Sequence, residues 1–417
     1  MRHVLGIDLG STRTTAAVCR WGRGPWGNPE VVPLQAGAPW VDSVLHVSPE
    51  GALLVGQAAL QRAATEPERI ARGFLNRVGD PVPFVLGDTT YPAETLTAGL
   101  IGWIADSVAE AEGTAAERIV VTHPPGWSAY RRGLLHDALD QAELPGVLAL
   151  PSPITAAESH LARHGVEVGA TLAVCRIGGE HLETAVLRRG PYGFELLTHS
   201  EPAEHEAGAH LDDLLVQHVL ERSGGDSADP AAMARLRAAC AAAKERLSML
   251  PEVIVTEGVH VTRAEFEALA RPVLTAAVAQ LERMASTVPA EKLAAVVLVG
   301  GTARIPLAGR LATTMLSSLS CPIVVDDDPG TALCRGAALA AQPRTEAARP
   351  AEPVGTATGT LVTGSQELPA VYDDGEVDDI GPPPERPPVE ITPLEPPKRR
   401  FSLARKAAST TDRDEGR

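Results

Sequence analysis

The chain opens on a short apolar run, HVLGID, is interrupted by the polar turn LGSTRTT and resumes as AAVCR. Apolar runs of this length closed by glycine and hydroxyl residues predict two strands joined by a tight turn. A related unit, ATLAVCRIGGEHLETAVLRR, recurs within residues 169–189. Two such hairpins so far apart predict a duplicated lobe. Each is followed by further strand-like segments and then a helical stretch, AETLTAGLIGWIADSVAEAEG after the first and HLDDLLVQHVLERS after the second. That order predicts an α/β fold in two halves. ERIVVTHPPG reads as an apolar strand ending in a Pro-Pro turn, and AAVVLVGGTARIP as a buried strand ending in a Gly-Gly loop, with Pro306 placed to start a helix. In DDDPGTALCRGAALAAQ, Asp328 is expected as the N-cap and Pro329 as the first helical residue. Ligand loops in such sheets lie at the carboxyl ends of strands.

Beyond Gln342 the pattern stops and PRTEAARPAEPVGTATG and IGPPPERPPVEITPLEPPKRR take over. Such a segment cannot bury enough apolar surface to offset chain entropy, so residues 343–417 are expected to be a disordered Pro-rich tail. The expected organisation is a first lobe over 1–168, a second over 169–342 and that tail. A chain of 417 residues, 44% of them apolar, has material for a large core. Its formal charge of −16 argues against nucleic acid and anionic membranes as general partners. No apolar run is long enough to span a bilayer, and MRHVLGIDLG lacks the pattern of a secretory leader, so a cytoplasmic protein is expected. The five cysteines, Cys19, Cys175, Cys240, Cys321 and Cys334, are scattered and suggest neither disulfides nor a zinc knuckle.

Candidate chemistry begins in DLGSTRTT. A glycine between a carboxylate and hydroxyl residues lets backbone N–H groups and the hydroxyls of Ser11, Thr12 and Thr14 face an anion such as a phosphate. Asp8 at the strand end can hold magnesium through water. Standing alone, the segment reads better as a polar hairpin turn without a ligand. VLVGGTARIPL offers a second glycine-rich loop, suited to close approach of a purine or its phosphates. His199, His205 and His210 among Glu201, Glu204 and Glu206 could ligate zinc, but the spacing matches no closed tetrahedral pattern and an exposed polar loop accounts for it. The basic segment around Ser402 reads as a solvated tail, a kinase site or a contact for an acidic surface.

The order of these motifs, together with GALLVGQAALQRA, VVTHPPGWSAYRR and AAKERLS, resembles the seventy-kilodalton heat-shock chaperones of the DnaK class, within the actin-like ATPase superfamily. The resemblance covers nearly all of residues 3–342 and does not extend to that family's peptide-binding domain or lid. It implies an actin-like fold of two lobes around a cleft for ATP or ADP. Asp8 falls on a magnesium-associated aspartate, and Gly10, Ser11 and Thr12 on a phosphate turn. Lys244, Ser248, Gly300, Gly301 and Arg304 fall on adenosine contacts, the arginine stacking on the base. In the second phosphate turn, RIGGEHLE, Gly178 and Gly179 remain and Glu183 is an acidic stand-in. Arg176, however, replaces the second magnesium aspartate, Glu180 a glycine and His181 a threonine. Leu75 stands where a lysine is expected, with Arg77 close by, and Ser152 where a glutamate is expected. Arg176 is expected to pair with a phosphate oxygen in place of the metal. The resemblance thus implies a chaperone-like nucleotide-binding protein, with protein clients or co-chaperones and a role in stress, whose hydrolysis is weak or lost. The alternatives are an ATPase with a rearranged constellation of Arg77, Arg176 and Glu183, or a scaffold that binds no nucleotide.

Overall fold

A computed structural model describes residues 1–22, 24–202, 207–224 and 229–343. The expected tail from residue 344 on, Ser402 with its basic neighbours, and Glu204, His205 and Glu206 all lie outside the described residues.

Two sheets carry the fold, and they repeat one another. In the first, the strands run in the order Leu148–Pro151, Ile119–His123, His3–Asp8, Arg13–Arg20 and Glu30–Val31, with Trp40–Asp42 also paired to Arg13–Arg20. In the second, the order is Ile323–Val325, Leu293–Val299, Thr171–Ile177, Leu182–Arg189 and Phe194–Ser200. The first three strands of each order are parallel and the remaining two antiparallel. The central parallel strands are buried on both faces, which explains their continuous apolar runs. Each expected hairpin forms the middle of its sheet. The duplicated α/β architecture is the actin-like ATPase fold that the resemblance implied.

Equivalent helices follow the equivalent outer strands: Ser152–His164 after Leu148–Pro151, and Ala332–Ala341 after Ile323–Val325. They cross between the sheets. Ala156 and Ala157 pack with Leu172, Val174 and Val297 of the second sheet, while Ala337, Ala338 and Ala341 pack with Val4, Ala17 and Val120 of the first. Each half therefore closes its core with a helix contributed by the other. Small side chains allow the helices to approach, and the limit is Gly336, where a Cβ would lie 1.7 Å from the Thr155 carbonyl oxygen.

The helices Ala93–Glu112, Gly208–Ser223 and Pro306–Met315 fall where the apolar periodicity put them, the last with Pro306 in its first turn. The last helix corrects one expectation. It begins at Ala332 rather than Pro329, because the Asp328 carboxylate is engaged by Arg304 and by the Thr331 hydroxyl. Pro329 and Gly330 then form a turn ahead of the helix.

Gly336→Ala is expected to destabilise by about 1–3 kcal/mol or more, the range of core overpacking, read as a lowered urea midpoint. A second prediction concerns acid. Burial, with Arg132 and His136 nearby, lowers His123 from 6.5 to about 4. Burial, with His164 nearby, does the same to His160. Between those values the unfolded chain binds more protons than the folded one, so stability rises with pH there. It is fully present above about pH 6.5 and lost progressively as pH falls toward 4. Urea unfolding across that range, with imidazole resonances followed by NMR, measures both the loss and its source.

Candidate functional site

The turns of the two hairpins face a cleft of about 1830 Å³. Asp8, Gly10, Ser11 and Thr12 line it from the first sheet. Arg176, Gly178, Gly179, Glu180 and His181 line it from the second. Lys244 and Ser248 reach it from the end of the helix Pro230–Leu247, and Gly300, Gly301 and Arg304 from the loop after Leu293–Val299. Leu75, largely buried, also borders it. Most of the residues singled out in the sequence are thus brought together, but Ser152 lies below the surface and donates to Glu183, Arg77 is not among the lining residues, and the Thr14 hydroxyl, expected to face an anion, is buried against Ser43 Oγ at 2.9 Å.

Arg176 follows Leu172 and Val174 on the strand face turned to the helix Ser152–His164. It stands directly opposite Glu183 in the antiparallel register. Its Nη1 donates to Glu183 Oε1 at 2.7 Å, and its Nη2 to Asp8 Oδ1 at 3.2 Å and Oδ2 at 3.4 Å. Ser152, in the first turn of its helix, donates to the other oxygen of Glu183. Thr122 Oγ1 donates to Asp8 Oδ1 at 2.7 Å and accepts from Leu9 N at 3.0 Å. The side chains of Arg176, Asp8 and Glu183 are 12%, 8% and 1% exposed. Burial works against charge on the guanidinium, but Asp8 and Glu183 outweigh it and hold its pKa above the ordinary value. Burial pushes the Asp8 carboxyl up, opposed by Arg176 and the Thr122 hydroxyl. The charge of Arg176, expected to meet a phosphate oxygen, is engaged in this structure by Asp8 and Glu183 at the edge of the cleft, where it joins the two halves.

Further contacts cross the cleft. A Cβ on Gly179 would lie 2.2 Å from Thr12 Oγ1, so the two turns nearly touch. Asn76 Nδ2 donates to Glu180 Oε2 at 2.7 Å, and its Oδ1 accepts from His181 Nε2 at 2.8 Å. Arg13 Nη1 donates to Glu245 Oε1 at 2.7 Å while its guanidinium stacks 4.5 Å from the Trp40 ring centroid. Asn76 and Glu245 escaped the sequence reading, because nothing local to either residue marks a partner about a hundred or more positions away. Arg77 turns elsewhere: it pairs with Asp80 at 3.0 Å, donates to the Val82 carbonyl and covers Phe84 at 4.3 Å. It does not stand in for the missing lysine.

On the opposite wall, Lys244 Nζ donates to the Gly208 carbonyl at 2.6 Å and pairs with Asp212 at 2.9 Å. That carbonyl belongs to the first residue of a helix whose N–H groups at Gly208 and Ala209 reach the Gly178 and Gly179 carbonyls. Lys244 and the second turn are therefore positioned by one helix terminus. Gly300, at φ 92°, starts the tight turn that carries Arg304, whose guanidinium is held at the cleft rim by Asp328.

The resemblance implies magnesium at Asp8. A hydrated magnesium ion needs carboxylate oxygens turned toward it. Here Asp8 receives Arg176 and Thr122, and Glu183 receives Arg176 and Ser152. The arrangement does not fit the ion. Among the described residues no group of three or more histidine, cysteine or acidic side chains could hold a metal.

A family model described as Hsp70 protein matches residues 81–347. A chaperone protein DnaK from Nitrosopumilus maritimus (strain SCM1) is 25% identical over 366 residues, 82% of this chain and 56% of that protein. A second, from Cenarchaeum symbiosum (strain A), is 27% identical over 365 residues, 82% of this chain and 54% of its own length. A chaperone protein HscA homolog from Azotobacter vinelandii is 27% identical over 368 residues, 82% and 58% of the two chains. The chain spans a little over half the length of these curated relatives.

Removing one member of a buried charge cluster leaves the others unpaired, which costs about 3–5 kcal/mol. Arg176→Met is expected to lose stability on that scale at neutral pH, and Arg176→Met combined with Asp8→Asn to lose less. Urea unfolding of the wild type and the two variants makes the comparison.

Proposed function

The chain belongs to the Hsp70 protein family, and from that premise we propose that it is a chaperone-like nucleotide-binding protein that holds ATP or ADP in its cleft and hydrolyses it slowly or not at all. One observation carries the reading. Lys244, Ser248, Gly300, Gly301 and Arg304, the family's adenosine-side residues, face one cleft, while on the phosphate side Arg176, Glu183 and Asp8 are bonded to each other.

Phosphoryl transfer depends on positioning and on charges aimed at the transferred group. In this cleft Leu75 offers no charge, Arg77 is turned away to Asp80, and Glu180 places a carboxylate in the turn that would face phosphates. These features oppose the rearranged ATPase. In our reading the halves correspond to residues 1–168 and 169–342, and a bound nucleotide biases their relative position by favouring one arrangement of the contacts across the cleft. Protein clients or co-chaperones and a cytoplasmic, stress-related setting belong to the same proposal by family. Among the described residues no helix is long and apolar enough to cross a membrane.

Calorimetric titration should show ADP and ATP binding with similar affinity. Arg304→Ala should weaken both by about 0.5–2 kcal/mol, the range of a cation–π contact. Single-turnover phosphate release should stay near background. Unchanged affinity in Arg304→Ala places the nucleotide elsewhere, and robust turnover refutes the loss of hydrolysis. A chain that binds neither nucleotide, with no shift on melting, is the scaffold instead; a ligand at a hundred times its dissociation constant would add about 2.7 kcal/mol.

A further inference from the structure

Asp8 is the last residue, and Arg176 the last but one, of equivalent strands in the duplicated sheets. Two acidic side chains at these positions would repel across the cleft and gather a cation between them. Here the two positions carry opposite charge and pair directly, at 3.2 Å. The guanidinium also takes the second carboxylate, Glu183, at 2.7 Å. Thr122 and Ser152 occupy further lone pairs of the same two carboxylates. An arginine does not deprotonate in a protein, so a divalent ion would have to enter beside a permanent positive charge, at carboxylates already bonded. Arg72, Arg246 and Arg237, the last paired with Asp213 at 3.3 Å, also line the cleft, so it carries protein cations besides Arg176.

We infer that Arg176 is the resident cation of the cleft: it takes the point where two carboxylates would otherwise collect a divalent ion, and the nucleotide the cleft accepts is free of metal. The second half of this statement rests on the nucleotide reading above, whereas the first does not.

The test has two arms. Without nucleotide, Mn²⁺ uptake is followed by electron paramagnetic resonance in the wild type, Arg176→Lys, Arg176→Ala and Asp8→Asn. Wild type and Arg176→Lys should bind no ion that depends on Asp8, and Arg176→Ala should gain one. A wild-type Mn²⁺ site that Asp8→Asn abolishes overturns the inference, as does a folded Arg176→Ala that gains none. Circular dichroism reports whether Arg176→Ala folds; if it does not, the comparison of wild type with Asp8→Asn decides. In the second arm, ADP affinity of the wild type is measured by calorimetry with Mg²⁺ and with a chelator. It should be the same within about threefold, or tighter in chelator; a gain of more than about threefold (~0.7 kcal/mol) on adding Mg²⁺ overturns metal-free binding. No ADP binding in either condition overturns the nucleotide reading and, with it, metal-free binding, while the Mn²⁺ arm still decides the cation.

Discussion

A guanidinium buried between two carboxylates fixes the junction of the two halves. Taking three charges out of water is expensive, and their attraction offsets that cost only when the remaining hydrogen-bonding capacity is also met. Here Thr122 meets it from the strand beside that of Asp8, and Ser152 from the helix packed on the second sheet. Glu183 gains further from the start of the helix Ser152–His164, where unsatisfied N–H groups favour negative charge. The cluster therefore specifies more than a contact. It sets the depth of the first turn against the second, and with it the near contact of Thr12 and Gly179. The cleft's chemistry follows: a centre satisfied from within has little left to offer an incoming metal.

The fold was legible because its signals are local. Apolar runs closed by GST and GGE turns mark the two hairpins, and Pro306 marks a helix start. Their repetition points to duplication without any knowledge of contacts. The candidate site was legible in part, through glycine-rich turns and the family resemblance, which gave the identity of Arg176 and its oddity. What it pairs with was not, since Asp8 lies 168 positions away and only the closed sheets bring them together. Arg77 shows the converse error. Proximity in sequence suggested a substitute lysine, yet the turn at Gly79 and Asp80 draws its side chain the other way. Asp328 was misread as a cap because the sequence does not reveal that Arg304 competes for its carboxylate.

Contacts across the cleft differ in kind. Arg13 with Glu245 is a half-exposed pair of modest strength, screened by salt. The Asn76 amide is more specific, because it must present its N–H to Glu180 and its oxygen to His181. A flipped amide would set donor against donor and acceptor against acceptor. The two contacts together tie the first half to both walls of the second, one near the phosphate-type turn and one on the helix that carries Lys244.

The crossed helices bear on timing. The opening strand His3–Asp8 finds its packing partner in Ala332–Ala341, at the far end of the body. A ribosome adding about 5–20 residues per second takes on the order of 15–65 s to deliver that helix after the strand has emerged. For that interval Val4 and its neighbours have no native cover on this face, and Asp8 waits in the same way for Arg176. Loop closure over such a span is slow even once synthesis ends. The nascent first half is thus itself an unfinished surface, dependent during its own birth on whatever shields exposed apolar chain.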